Sequence, residues 1–312
     1  MTKHIVRLLA GWCCISVCAS VVSAAEVLLV LSERTAGYNE AAVTFTMELS
    51  KRGVSTSDIA SVATAESGAN LVLDKYPAKV VVTLGSAALR QVLSAESRVP
   101  VVAALIPRAS FERILQESGR RTLNNVFVLY LDQPFARQLD LLRLVLPNRH
   151  RIGVLWGPES LVQQPALLSA MHSRGLEMVP GVVSPNGALS GALQASLDGA
   201  DALLAIPDAQ VYNATTVSNI LLGTYRARVP VFAFSPAYVR AGSLVSVHST
   251  ATQVGAQAAA MARQVLLGGT LPTGQYPTEF TVTVNERVAR SLDLPADEAE
   301  LTERLKQLER RP

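Results

Sequence analysis

The chain has 312 residues, 49% hydrophobic and 17% charged, which is too apolar for disorder and long enough for one large or two medium domains. Its 19 glycines and 16 prolines exclude a collagen-like or low-complexity chain. A formal net charge of +3 excludes a dedicated nucleic-acid binder lacking a clear basic face.

Residues 1–25 read as a cleaved signal peptide. Lys3 and Arg7 precede an apolar run from about Leu8 to Val22, and the small residues Ser23, Ala24 and Ala25 suit cleavage after Ala24 or Ala25. The run is short for a membrane span. Cys13, Cys14 and Cys18 all lie in it, and the residues before them (Trp12, Cys13 and Val17) do not suit lipidation. The processed chain is then expected to be periplasmic and free of cysteine, hence of disulfides and thiolate metal sites. Losing Lys3 and Arg7, with no acid, takes the charge from +3 to +1.

Apolar runs then alternate with amphipathic ones. Strands are expected at Glu26–Leu31, Thr56–Val62, Lys79–Leu84 and Val99–Ile106, with helices at Tyr38–Arg52 and Ser86–Ser94. The pattern resumes with a strand at Asn125–Leu131, a helix near Gln133–Leu146, a strand at Arg151–Trp156 and a helix at Ser160–Arg174. Further strands are expected at Leu176–Val183, Asp201–Ile206, Val229–Phe234, Ser243–His248 and Glu279–Val284, with helices at Thr252–Leu267 and Asp297–Arg311. Continuous Val/Ile/Leu strands separated by helices indicate parallel sheets covered on both faces.

A repeat sets the architecture. Arg98–Ala103 (RVPVVA) matches Arg228–Ala233 (RVPVFA), and each is preceded by the same order of elements, including Arg52-Gly53 and Arg174-Gly175. The reading is α/β: two similar doubly wound parallel-sheet lobes, with the later elements returning to the first lobe and crossing back through a multi-strand hinge.

Ligands of open parallel sheets bind beyond the carboxyl ends of the strands. The candidate ligand-binding residues are therefore Ser32, Glu33, Gly85, Ser86, Pro107, Arg108, Trp156, Pro207, Asp208, Ser235 and His248. Arg108 and Asp208 facing each other would suit a zwitterion. Several of them also have a plainer reading. Asp208 suits the N-cap of a helix starting near Ala209, Ser86 a cap, Trp156 the core, and Glu33 and Arg108 solvated loops.

The chain resembles the type I periplasmic substrate-binding proteins of ABC transporters, in particular a group related to tryptophan and tyrosine binders. Asn125–Pro147, Arg151–Pro158, Asp201–Asp208, Val229–Val247 and Gly255–Asn285 carry the resemblance. It implies lobe closure on a small organic solute, an amino acid or similar, and docking on an inner-membrane ABC permease. It also implies crossings at Leu131, Asp132, Ser249 and Gln275. The lobes would then be 26–131 plus 249–275 and 132–248 plus 276–312. Pro207-Asp208-Ala209 stands where members often carry Thr-Asp-Asn, and Ser235-Pro236 where an acid or amide is common, which points to a less polar cleft.

The expectation is a monomeric solute-binding protein with no cofactor, no metal, no catalytic residues and no nucleic-acid partner. The alternative is a periplasmic sensor or adaptor of the same fold, signalling to a membrane receptor or kinase. An enzyme is disfavoured, because H-E-x-x-H, G-x-S-x-G, Walker A and G-x-G-x-x-G are all missing. Gly187–Gly191 only superficially resembles a nucleophile elbow, and His150, His172 and His248 form no metal-ligand pattern.

Overall fold

The computed structural model describes residues 25–66, 73, 76–95, 97–119, 125–184, 189–294 and 297–310. The signal-peptide segment up to Ala24, with its cysteines, and part of Gly187–Gly191 lie outside the described residues.

Val27–Leu31 (β1) is buried at every position, as a strand covered on both faces must be. Helix α1 (Ala36–Lys51) buries Ala41, Phe45 and Leu49, whose four-residue spacing places them on one face. Strands β2 (Ile59–Ala63) and β3 (Val80–Leu84), helix α2 (Ser86–Ser94), β4 (Val101–Ile106), α3 (Arg108–Glu117) and β5 (Val126–Tyr130) follow.

The chain then builds a second unit in the same style. It runs through α4 (Phe135–Val145), β6 (Arg151–Trp156), α5 (Gln164–His172), β7 (Glu177–Val182), α6 (Leu189–Leu197) and β8 (Ala202–Leu204). It continues through α7 (Val217–Ala227), β9 (Val231–Ala233), α8 (Pro236–Ala241) and β10 (Val245–His248). After it come α9 (Ala251–Leu266), β11 (Gly274–Gln275), β12 (Thr281–Val284), α10 (Glu286–Ser291) and α11 (Glu298–Glu309).

Two six-stranded sheets result, ordered β11-β5-β4-β3-β1-β2 and β12-β10-β9-β8-β6-β7. All pairings are parallel except β10 with β12. These are two doubly wound α/β lobes. In the first, the face covered by α1 and α9 holds Leu29, Phe45, Val82 and Met261, and the other holds Leu28, Leu89, Phe111 and Val128. In the second, Trp156, Met171, Phe232 and Leu305 share one cluster and Leu203, Val211 and Ile220 another. Each fully buried Leu, Val or Phe contributes about 1.5–3 kcal/mol.

Several elements differ from the sequence reading. Thr56–Asp58 is a 3-10 turn ahead of β2, held by the Ser55 hydroxyl accepting from the Ser57 amide. Helix α3 follows directly on Pro107 and buries Ala109, Phe111 and Ile114 on an otherwise polar segment, so it has no apolar run to announce it. In helix α6 the periodicity itself is muted by its Ser, Gly and Ala content. The helix expected over Ser160–Arg174 is a 3-10 turn (Leu161–Gln163) and then α5, because Pro165 has no N–H for an uninterrupted first turn. No helix starts at Ala209. Residues 209–216 form turns, and α7 begins only at Val217.

The chain passes between the sheets three times: after β5, after β10 and between β11 and β12. Hydrogen bonds tie the passages together. Gln133 Nε2 donates to Ser249 Oγ at 3.0 Å, and Ser249 Oγ donates to the Glu279 carbonyl at 2.6 Å. Arg137 Nη1 donates to Gln133 Oε1 at 2.6 Å and to the Pro277 carbonyl at 2.8 Å. The same guanidinium pairs with both Glu309 oxygens, at 2.5 and 2.9 Å, and lies 4.2 Å over the Phe280 ring.

Candidate functional site

The carboxyl ends of both sheets converge on a cavity of about 410 Å³. Glu40 and Pro107 come from the first lobe. The second contributes Pro207, Phe234, Ser235, Pro236 and His248. Leu131 and Asp132 of the first passage, and Ser249, Thr250 and Ala251 of the second, form the floor. The volume falls in the range of small-molecule sites, and the wall is dominated by proline, phenylalanine, leucine and methylene surface.

Local backbone chemistry sets the wall. Leu105 takes φ +53°, and the pairing of β4 with β5 shifts between Ala103 and Ile106. This bulge at a left-handed non-glycine residue re-aims the chain just before Pro107. Helix α9 opens with a capping box: the Thr250 hydroxyl accepts from the Gln253 amide at 3.1 Å, and Gln253 Oε1 accepts from the Thr250 amide at 2.8 Å. That fixes Thr250 and Ala251 at the edge of the cavity.

Asp132 is buried, and its Oδ2 accepts from the Arg108 amide at 2.6 Å. Burial pushes its carboxyl up to about 6, although the Arg108 amide and guanidinium act the other way. Burial holds His248 below its usual value, and Arg240 adds to this against Glu298. Its Nδ1 is 3.2 Å from Ser246 Oγ, so Nε2 is the ring nitrogen left for a ligand. Phe234 packs against Tyr238 at 4.8 Å and against Tyr212 at 5.7 Å between centroids, which stiffens that wall.

Of the expected ligand residues, Pro107, Pro207, Ser235 and His248 line the cavity, as do Leu131, Asp132 and Ser249 from the expected hinge. The others lie off its wall. Ser32 Oγ accepts from the Ala88 amide at 3.0 Å, inside the first turn of α2. Gly85 caps that helix with φ +93°, where a Cβ would collide with Tyr38 Oη and Ser32 Oγ, and Ser86 is the first helical residue. Glu33 is exposed. Gln275 lies in β11, paired with Leu129.

Three candidates are committed to structure. Trp156 is fully buried in the second core, so its apolar ring outweighs its position at a strand end. Arg108 is tied to Glu112 at 2.7 Å and to Tyr276 Oη at 3.2 Å. Asp208, 5% exposed, braces the turn after β6 instead of capping a helix of its own. Its Oδ2 accepts from the Glu159 amide (3.0 Å), the Ser160 amide (2.9 Å) and Ser160 Oγ (2.9 Å), and Oδ1 accepts from the Gln210 amide at 2.9 Å. Gly157 lets it approach, since a Cβ there would meet the carboxylate. The braced turn carries Glu159 to within 3.4 Å of Arg113 on α3, an ion pair that joins the lobes.

Pro236, read with Ser235 at a strand end, also lines the cavity, whereas Glu40, Phe234, Thr250 and Ala251 were missed by the sequence reading. Thr250-x-x-Gln253 after an apolar strand was a usable signal for the last two. Glu40 had none, because it reaches the cavity from the first turns of α1, steadied by the Thr252 hydroxyl at 2.6 Å. Among the described residues, no group of three or more His, Cys, Asp or Glu could hold a metal, and no helix is long and apolar enough to cross a membrane.

Comparison with curated protein sequences found no match. Solved structures do match. A substrate-binding protein with adhesive properties from Clostridium difficile, in its ligand-free open form, gives a TM-score of 0.65 at 16% identity, covering 88% of this chain and 96% of that one. The ABC domain from Streptococcus pneumoniae in complex with L-Trp gives 0.62 at 18% identity, covering 90% and 98%. A conserved domain protein from Vibrio cholerae gives 0.61 at 20% identity, covering 89% and 97%. At these identities the likeness establishes the type I periplasmic-binding fold. The family model described as ABC transporter substrate binding protein matches residues 47–306, and the chain belongs to that family.

Proposed function

We propose that the protein is the solute receptor of an ABC importer, closing two lobes on a small organic molecule and presenting it to an inner-membrane permease. The observation that carries this reading is the cavity of about 410 Å³ at the facing strand ends, walled by both lobes and floored by two of the passages between them. In this reading the lobes are 26–131 with 249–275 and 132–248 with 276–312, and Leu131, Asp132, Ser249 and Gln275 are hinge residues. The protein works as a monomer in the periplasm, after removal of residues 1–25. Pro107, Pro207, Ser235 and His248 touch the ligand, together with Asp132 and Phe234. The L-Trp held by the pneumococcal neighbour illustrates the size of solute that such a cleft admits.

A ligand that favours the closed form draws the population toward it. The test is a thermal-shift screen of the purified protein against amino acids, amines, organic acids, sugars and nucleosides. A ligand at about 100 times its Kd adds about 2.7 kcal/mol, enough to raise the midpoint by several degrees. A saturable hit that also compacts the protein in small-angle scattering supports the receptor reading. A ligand-free, folded protein that responds to nothing in the library overturns it in favour of a sensor or adaptor.

A further inference from the structure

The cavity wall is one-sided in charge. Among the described residues, its charged side chains are Asp132 and Glu40, both acids, and neither lysine nor arginine lines it. The nearby guanidinium of Arg108 is off the wall, held by Glu112 and Tyr276. The other acidic strand-end candidate, Asp208, is spent on the turn after β6. An anionic group entering this cavity would find no side-chain cation and two carboxylates.

The remaining polar wall is largely committed. Ser249 Oγ is shared between Gln133 and the Glu279 carbonyl, and Thr250 Oγ1 receives the Gln253 amide. The capping box likewise occupies two of the amides at the start of α9, which weakens that helix end as an anion site. Asp132, Glu40, Ser235 and His248 Nε2 are left for a ligand, and burial disfavours the cationic form of His248. Phe234 adds an aromatic surface, which attracts cations. Pro107, Pro207 and Pro236 leave the rest apolar.

We propose that the solute is an organic amine: one cationic nitrogen held at Asp132, on a compact apolar body packed against Phe234 and the prolines, with no carboxylate. This rests on the solute-receptor reading above. A buried carboxylate without an ion-pair partner is costly, and a ligand ammonium would supply the missing charge. The titratable groups that interact with Asp132 are Arg108 and Glu112 of α3 and Tyr130 of β5, and Glu40 and His248 line the same cavity.

The test is calorimetric titration of the purified protein with two matched series: 2-phenylethylamine, phenylalanine and 2-phenylethanol, and tryptamine, tryptophan and indole-3-ethanol. In at least one series the amine is expected to bind at least tenfold tighter than both the amino acid and the alcohol. Asp132→Asn is expected to cost the amine tenfold or more and the alcohol less than twofold. An amino acid or alcohol that matches the amine, or a sugar or acid that binds where no amine does, overturns the amine assignment and leaves the receptor reading standing. Silence from every solute in the wider screen removes the receptor reading itself, and the assignment with it. If Asp132→Asn does not fold, the wild-type ranking decides alone.

Discussion

Replacing Asp208 by alanine separates a simple helix cap from the brace seen here. Loss of an ordinary cap costs about 0.5–2 kcal/mol. Asp208 does more, since its two oxygens accept four hydrogen bonds, three of them from the turn at Glu159 and Ser160. Ser160 is fully buried, so its amide and hydroxyl would lose their partner where water cannot replace it. Each buried unsatisfied donor costs about 1–3 kcal/mol, which puts the total at about 3–5 kcal/mol. Asp208→Asn offers no full rescue, because its amide nitrogen would face donors where an oxygen now accepts. Urea denaturation followed by circular dichroism reads the loss as a lower midpoint at an unchanged slope. A loss under about 1 kcal/mol for the alanine variant would refute the brace and restore the picture of a surface cap.

Four further outcomes follow from the same geometry. Gly85→Ala forces a methyl group onto Tyr38 and Ser32 at φ +93° and is expected to destabilise by about 1–3 kcal/mol, read by thermal unfolding. Arg137→Met removes the link between two passages and α11 and leaves Gln133 Oε1 without its donor; a loss of about 3 kcal/mol and faster amide exchange in α11 are expected, and unchanged exchange there would count against the link. Asp132, raised from 3.8 to about 6, is protonated more readily in the folded state than in the unfolded one. Its contribution is therefore complete below about pH 4 and is lost as pH rises through about 6, so the midpoint of Asp132→Asn should gain on wild type between about pH 4.5 and 7, by at most about 3 kcal/mol; parallel profiles would contradict this. Arg113→Ala breaks an ion pair whose arginine is 39% exposed and should cost under about 1 kcal/mol, an effect that fades with added salt.

The parts of this protein that sequence made legible are those written in apolar periodicity. β3 is buried at every residue and β6 at all but Arg151, and both stand out as Val/Ile/Leu-rich runs. The RVPV repeat marks β4 and β9, which sit in corresponding places in the two sheets. What escaped depends on contacts distant in sequence. Nothing around Leu105 announces a left-handed residue, because the bulge is set by pairing with β5. Asp208 followed by Ala-Gln looks like a cap, yet its partners stand about fifty residues earlier, at Glu159 and Ser160. Strand ends pointed to Pro107, Pro207, Ser235 and His248 on the cavity wall, but which strand-end residues face inward depends on packing. Trp156 shows this best, since at a strand end it is buried in the core and not on the cavity wall.

The three passages between the sheets also constrain how the chain can acquire its shape. A polypeptide made only as far as Ser243 would hold five strands of the first sheet, yet α9 would be missing, and Val254, Ala258 and Met261 with it. Phe45, Leu49 and Val82 would stand open to solvent. The second sheet would wait longer, for β12 to cover the edge of β10 and for Leu301 and Leu305 to close its core. Neither lobe is therefore complete within an N-terminal segment: the first needs the chain as far as β11 and the second as far as α11. Truncations before α9 should therefore leave both lobes open to proteases, and those between β11 and α11 the second lobe alone.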